Sequence, residues 1–294
     1  MSGRLRWLGL TVAAAVAMAG CASNSEGSGP TGSVSNSIST QQGARSFLPA
    51  KIKKAGKLIV GVNVPYSPNE YISHGKVVGF DVDLMDAAAK SLGLTTDYRQ
   101  ADFDKIVPAV KAGTFDVGMS SFTDNKEREK TDDFVDYFSA GILWAAPKGH
   151  SVDPLNACGL TVSVQATTTE QTDELPALSK KCTTAGKKPI KILQYTGQDQ
   201  ATNAVVLGKS DAMSADSPVT SYAIKQSGGK LVPAGKIRES APYGWPVAKG
   251  SSLAKALMMA LQSLIDAGTY DQICKKWGVQ AGEIKKATLN GAIS

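Results

Sequence analysis

From Lys57 the chain alternates strand-like and helical segments, and the alternation restarts after residue 150. In the first series, Leu58 to Val62 reads as a strand and Tyr71 to Phe80 as a hairpin turning at His74-Gly75. Leu84, Met85, Ala88, Ala89 and Leu92 then recur at helical spacing, with Asp81 placed to cap that helix. A strand near Thr95 to Tyr98, a helix from Phe103 to Ala112 and a short strand at Phe115 to Met119 complete it. In the second series, Thr161 to Val164, Ile190 to Leu193 and Asp211 to Ser214 read as strands, the last ending at Asp216. Helices are expected after Thr167, which stands at capping-box distance from Glu170, and from Gln198 to Leu207. The two series end on similar borders, Trp144-Ala145-Ala146-Pro147-Lys148-Gly149 and Trp245-Pro246-Val247-Ala248-Lys249-Gly250, and helical segments follow from Leu253 to Trp277. This grammar predicts an α/β protein of two Rossmann-like lobes. The first is expected to comprise 47–147 plus 249–294 and the second 148–248, so that the chain crosses twice, forming a two-strand hinge beside a ligand cleft.

The stretch from Met119 to Arg128 carries the most chemistry. A buried-strand pattern breaks there into Ser120, Ser121 and Thr123, then Asp124-Asn125, then an arginine. Thr123 to Asn125 supply N-cap side chains for a following helix, whose first N–H groups and partial positive charge attract an anion. Arg128, about one turn on, adds a planar fork of donors that matches a carboxylate.

Residues 1–20 read as an export signal: Arg4 and Arg6, an apolar run from Trp7 to Met18, then Ala19-Gly20. The run is shorter than the roughly 20 residues a membrane-spanning helix needs. Cys21 follows, and Met18-Ala19-Gly20-Cys21 resembles the lipobox of bacterial lipoproteins, with Met18 where Leu is usual. The resemblance implies a lipidated Cys21 carrying acyl chains such as palmitate. Residues 22 to 46 are mostly Ser, Gly, Asn, Thr and Gln, so 21–46 is expected to be a lipidated cysteine and flexible tether. That places the body at the cell membrane, lipid-anchored on its extracytoplasmic face. Net charge is +6, and losing the signal's two arginines leaves +4. The lysines are scattered, and no basic block interleaved with aromatics points to nucleic acid. Cys158 and Cys182 flank a predicted strand and helix and could pair in an oxidising compartment, whereas Cys274 lies in an apolar helical pattern and reads as a buried thiol. With His74 and His150 the only histidines, no metal-ligand spacing and no Ser/His/Asp arrangement stand out, and no cofactor is expected.

At Gly79-Phe80-Asp81-Val82-Asp83-Leu84 the chain resembles the signature of the polar amino-acid type of extracellular solute-binding proteins, family 3. The likeness continues through Phe103 to Pro108, the Met119 to Arg128 stretch, Asp132-Asp133-Phe134 and Tyr270 to Trp277. It implies a type II periplasmic-binding-protein fold whose lobes close over a free amino acid and present it to an ABC permease, most simply as a monomer. It further implies that Arg128 and Thr123 hold the ligand's α-carboxylate, with Thr168 closing on it, and that Ser121 and Asp216 meet the α-ammonium. Ala166 stands where the family usually has Gly, which leaves the local backbone less defined. Tyr66 and Phe103 match positions that sandwich the ligand side chain, and Asn63 and Asn69 replace an acid and an aromatic found in relatives. Both replacements make the pocket more amide-like and argue against an arginine- or lysine-type ligand. Glu70 is the acid left near that pocket, and Glu170 and Glu174 read as helix-face positions. No enzyme is expected; the alternatives are a ligand-dependent sensor subunit and an exported cyclohexadienyl dehydratase-like enzyme.

Overall fold

The computed structural model describes residues 38–293. The expected signal, the lipidated Cys21 and the tether as far as residue 37 lie outside the described residues. The remaining tether residues differ from expectation. Gln42–Arg45 forms a short helix, α1, with Ala44 buried in the body, and Arg45 donates to the carbonyl oxygens of Leu92 and Gly93. A small apolar side chain with a seat in the core and a cation on free helix-end carbonyls are enough to hold this segment down.

The first series builds α2 (Ala50–Ala55), β1 (Lys57–Val62), β2 (Tyr71–Ser73), β3 (Lys76–Val78), α3 (Phe80–Ser91), β4 (Thr95–Gln100), α4 (Phe103–Lys111) and β5 (Val117–Gly118). His74 and Gly75 both have positive φ at the β2–β3 turn, the geometry that matches the twist of a tight hairpin. A long strand, β6 (Asp132–Pro147), leads into β7 (Thr161–Gln165), α5 (Leu175–Thr184), β8 (Lys191–Tyr195), α6 (Gln198–Val206), β9 (Ala212–Asp216) and α7 (Ser217–Gln226). A second long strand, β10 (Leu231–Ala248), returns the chain to α8 (Ser252–Asp266), α9 (Thr269–Trp277) and β11 (Thr288–Leu289).

β1, β4 and β5 pair in parallel on one side, and β7, β8 and β9 do so on the other. The long antiparallel pair β6–β10 joins them into one sheet of order β4-β1-β5-β10-β6-β9-β7-β8, with β11 on β6. The apolar core is nevertheless divided. Leu58, Val60, Leu84, Met85, Trp245 and Leu257 belong to one cluster, and Trp144, Val162, Val164 and Leu175 to another. Two lobes therefore hang on one pair of strands.

The strands cross between lobes earlier than the Lys-Gly borders suggest. Tyr137, Phe138 and Ala140 pack in the first core and Ile142, Trp144 and Ala146 in the second, so β6 crosses at Gly141. On the return, Ala234 packs in the second core and Tyr243 in the first. The Lys-Gly pairs mark where each strand ends in a turn, with Gly149 and Gly250 at positive φ. Crossing in mid-strand keeps the ladder hydrogen-bonded, which a crossing loop could not do. At the crossing β10 shifts register repeatedly between Ala234 and Ala241, and a Cβ on Gly141 would lie 2.6 Å from the Arg238 carbonyl oxygen. Glycine is what lets the two hinge strands approach there.

Cys158 and Cys182 are joined in a disulfide that ties the approach to β7 to the end of α5. Cys274 is buried and unpaired, and burial pushes its thiol up to about 12. Among the described residues no helix is long and apolar enough to cross a membrane.

Candidate functional site

Between the lobes lies a small, tightly closed pocket. The first lobe lines it with Tyr66, Phe103, Ser120, Ser121, Thr123 and Arg128, and the second with Gln165, Thr168, Thr169, Glu170 and Asp216. Seven of the nine residues singled out for ligand binding from the sequence thus share one enclosure. Asn63 and Asn69 are absent from its wall.

Arg128 does not follow a helix start of the expected kind. The segment makes one 3-10 turn, Arg128–Lys130, and Asn125 Oδ1 accepts from the Arg128 backbone N–H at 2.9 Å. Thr123 is instead drawn into a β-bridge with Tyr243, and the chain enters β6 at Asp132. The guanidinium is fixed by other means. Its Nη1 donates to the Thr123 carbonyl oxygen at 2.7 Å and its Nη2 to that of Thr167, across the cleft, at 3.2 Å. It also lies 5.8 and 5.6 Å from the ring centroids of Phe103 and Phe122, which stack 4.4 Å apart. A planar cation on aromatic faces keeps its plane and presents its remaining donors to the pocket. Burial pulls its pKa down, and the nearby charges of Glu170 and Asp216 oppose that.

Ser121 is held by a residue that sequence reading assigned to another task. Asp81 is no helix cap: Gly79 occupies the N-cap position of α3, at φ 148, where a Cβ would lie 2.0 Å from the Asn69 carbonyl oxygen. The Asp81 carboxylate is fully buried, and its Oδ2 accepts from Ser121 N–H and Oγ, both at 3.1 Å, and from the Tyr137 hydroxyl at 2.7 Å. Ser121 needs such support because its backbone is left-handed, at φ 51. Asn69 is buried behind the wall, donating from Nδ2 to Ser121 Oγ at 2.7 Å. Ser120 Oγ donates to Glu70 Oε1 at 2.6 Å, so Glu70 too is a supporting acid behind the pocket. Burial raises both Asp81 and Glu70, and the charge of Asp81 raises Glu70 further. Asn63 serves a third purpose. It donates to the Ala101 carbonyl oxygen at 2.9 Å and accepts at Oδ1 from Gln165 Nε2 at 2.8 Å, bridging the lobes.

On the second lobe, Asp216 ends β9 and accepts a 2.6 Å hydrogen bond from the Tyr66 hydroxyl of the first lobe. Thr168 Oγ1 donates to the Gln165 carbonyl oxygen at 2.9 Å. The capping box expected at Thr167 and Glu170 is not formed, because Thr167 adopts φ 65 and a π-helical turn, Glu170–Glu174, precedes α5. That turn places Glu170 and Glu174 on the buried face. Glu174 accepts from Trp144 Nε1 and Ser214 Oγ and pairs with Arg238 of the hinge. Glu170 enters the pocket 2 % exposed. Burial first, and the charge of Asp216 second, raise it to about 8; burial raises Asp216 to about 6. Sequence reading missed Glu170, Gln165 and Asp81. The signal for Glu170 was its four-residue spacing from Glu174, which sets two acids on one helical face.

Comparison with known proteins fits this geometry to a family. Residues 58–280 match the model for bacterial extracellular solute-binding proteins, family 3. The chain belongs to that family. The solute-binding protein is 38% identical over 282 residues to the arginine-binding protein ArgT of Corynebacterium glutamicum (strain ATCC 13032), covering 95% of this chain and 93% of that one. Among solved structures it is similar to an ancestral arginine-binding protein bound to arginine, with a TM-score of 0.69 at 33% identity, covering 76% of this chain and 98% of that one. It is also similar to an ancestral amino acid-binding protein described as a precursor of cyclohexadienyl dehydratase, with a TM-score of 0.67 at 31% identity over 77% of this chain and 97% of that one.

The raised acids give the unliganded protein a defined pH dependence. An acid whose folded pKa exceeds its ordinary one binds more protons folded than unfolded, so stability is fullest below the ordinary value and is lost as pH rises towards the folded one. Asp216 acts between its ordinary value of 3.8 and about 6, and Glu170 between 4.5 and about 8. The urea midpoint of the solute-binding protein is therefore expected to fall between pH 5 and pH 8; a midpoint that rises across this range contradicts the assignment.

Proposed function

We propose that this solute-binding protein captures a cationic amino acid of the arginine type in its interlobe pocket and delivers it to an ABC-type permease. The observation that carries the reading is the convergence of Arg128 and Asp216, one from each lobe, on a single enclosed pocket. A zwitterion needs both signs of charge close together, and enclosure removes the water that would screen them. Arg128 and Thr123 meet the α-carboxylate, and Asp216 with Ser121 meets the α-ammonium. Thr168 closes the carboxylate end, and Tyr66 and Phe103 flank the side chain. A few hydrogen bonds to charged groups, at about 1.5–3 kcal/mol each, suffice for the roughly 8 kcal/mol of micromolar binding. Asn63 and Asn69 suggest an amide ligand only if they reach it. Both are engaged elsewhere, and the acid that does line the pocket, Glu170, favours positive charge. The arginine-binding relatives support the same class.

The protein works as a monomer without cofactor. Residues 1–20 direct export, and acylated Cys21 anchors the body outside the membrane, since several acyl chains at roughly 0.8 kcal/mol per buried CH₂ hold durably. In a Cys21→Ala variant the protein is expected in the soluble extracellular fraction; unchanged retention in the membrane fraction would sink the anchor.

A second reading rests on Glu170 as well. A carboxyl that keeps its proton near neutrality inside a carboxylate-binding pocket is what a dehydratase requires of a general acid. Turnover of prephenate or arogenate by the purified protein would establish it.

Thermal-shift screening of the twenty amino acids, followed by calorimetry, tests capture. Arginine is expected to stabilise the fold by mass action, about 2.7 kcal/mol at a hundredfold excess over Kd, and Arg128→Ala to remove the effect. No response from any amino acid, with Arg128→Ala indistinguishable from the natural protein, would contradict it.

A further inference from the structure

The pocket holds one guanidinium and two carboxyl groups, and an amino acid's own α-groups leave one of the carboxyls without a counterpart. Arg128, already donating to the carbonyl oxygens of Thr123 and Thr167, matches one α-carboxylate. Asp216, which accepts from the Tyr66 hydroxyl, matches one α-ammonium. Glu170 remains. It is 2 % exposed, its Oε1 has no hydrogen-bond partner among the described residues, and no lysine or second arginine lines the wall. The Thr168 hydroxyl, its own backbone N–H and Asp216 bear on this carboxyl, but none of them is a cation. A buried ionised carboxylate without a cation paired to it is costly, so such a group stays protonated until one arrives.

We propose that Glu170 is a specificity-determining residue that receives the ligand's side-chain cation and surrenders its proton to solvent in exchange. This rests on the capture of an amino acid argued above. The step balances. The Glu170 O–H bond breaks with its electron pair left on the carboxylate, the proton passes to water or buffer, and the side-chain ammonium or guanidinium, already charged in water, takes its place. A neutral side chain offers no such replacement, so Glu170 keeps its proton and the ligand forgoes a charge-assisted contact.

The groups facing this carboxyl agree. Burial and then the charge of Asp216, from the end of β9, raise Glu170, whereas its own backbone N–H, the Thr168 hydroxyl and, last, Arg128 from the opposite lobe lower it. The protonated Glu170 also supports Asp216 through a hydrogen bond. Tyr66 and Tyr243 donate to or face Asp216 and keep their protons throughout the neutral range. Glu70 lies behind the first-lobe wall and Glu174 one turn further along the same buried face, and the charges of Asp173 and Asp124 raise Arg128. Apart from Arg128, every charged group in this set is acidic, so the proton on Glu170 is retained near neutrality, with a value of about 8.

Calorimetric titration of the full chain with arginine and with glutamine, in phosphate and in Tris, counts the protons released, because the two buffers differ in ionisation enthalpy. At pH 7 a group titrating at about 8 is roughly nine-tenths protonated. Arginine is therefore expected to release close to one proton at pH 7 and a small fraction at pH 9, and glutamine close to none at either. Glu170→Gln should abolish the release and weaken arginine at least tenfold. Arginine binding to the natural protein without proton release at pH 7 overturns the proposal, and so does undiminished release by a folded Glu170→Gln variant. If that variant fails to fold, the proton count of the natural protein decides alone. Glutamine binding without arginine binding overturns the role of Glu170 and leaves capture standing. A folded natural protein that binds neither overturns both.

Discussion

The pocket is built around an electrostatic imbalance: one half-buried arginine faces two buried carboxyls across a space that excludes most water. In such surroundings each charge is worth far more than it would be at the surface, and each unpaired one costs correspondingly more. The rest of the structure answers to this. Arg128 lies beside the stacked rings of Phe103 and Phe122 and is tied to one carbonyl from each lobe, so its orientation is set before any ligand arrives. Asp216 is kept company by the Tyr66 hydroxyl, also from the opposite lobe. Closure of the lobes is thus written in the same contacts that prepare the site, together with the Gln165–Asn63 amide pair and the approach of Thr123 to Thr169.

Behind the wall a second layer of acids performs structural work. Asp81 and Glu70 bind Ser121 and Ser120 from the protein side, leaving the hydroxyl-bearing backbone in a conformation that serine rarely adopts alone. Asn69 and Tyr137 complete this layer. The Gly79-Phe80-Asp81 sequence is consequently tied to the site at a distance. Gly79 lets α3 begin against the Asn69 backbone, and Asp81 turns inward to Ser121.

Much of this was legible in the sequence, and the failures share a physical cause. Periodicity revealed the strands and helices because it reports which face is buried, and that holds for α3 and β1 alike. It does not report what a polar residue on a buried face touches. Asp81 has a cap residue's chemistry but lies two residues past the cap, as the second residue of the helix, where its carboxylate faces the core. Thr167 and Glu170 have capping-box spacing, yet the left-handed backbone at Thr167 cancels the box and the π turn redirects Glu170. Asn63 and Asn69 stand at positions matched to the ligand pocket in relatives but reach other partners, which only packing reveals. The Lys-Gly borders recorded where strands end rather than where the chain changes lobe. That change happens inside unbroken strands, where composition does not shift.

Ligand capture depends on two oppositely charged grips from opposite lobes and a third, acidic contact for the side chain. A crystal structure of the protein grown with arginine tests it most directly. The α-carboxylate should lie within hydrogen-bond distance of Arg128, the α-ammonium within that distance of Asp216, and the guanidinium against Glu170. Arginine seated with its carboxylate away from Arg128, or with its guanidinium remote from Glu170, would contradict the account.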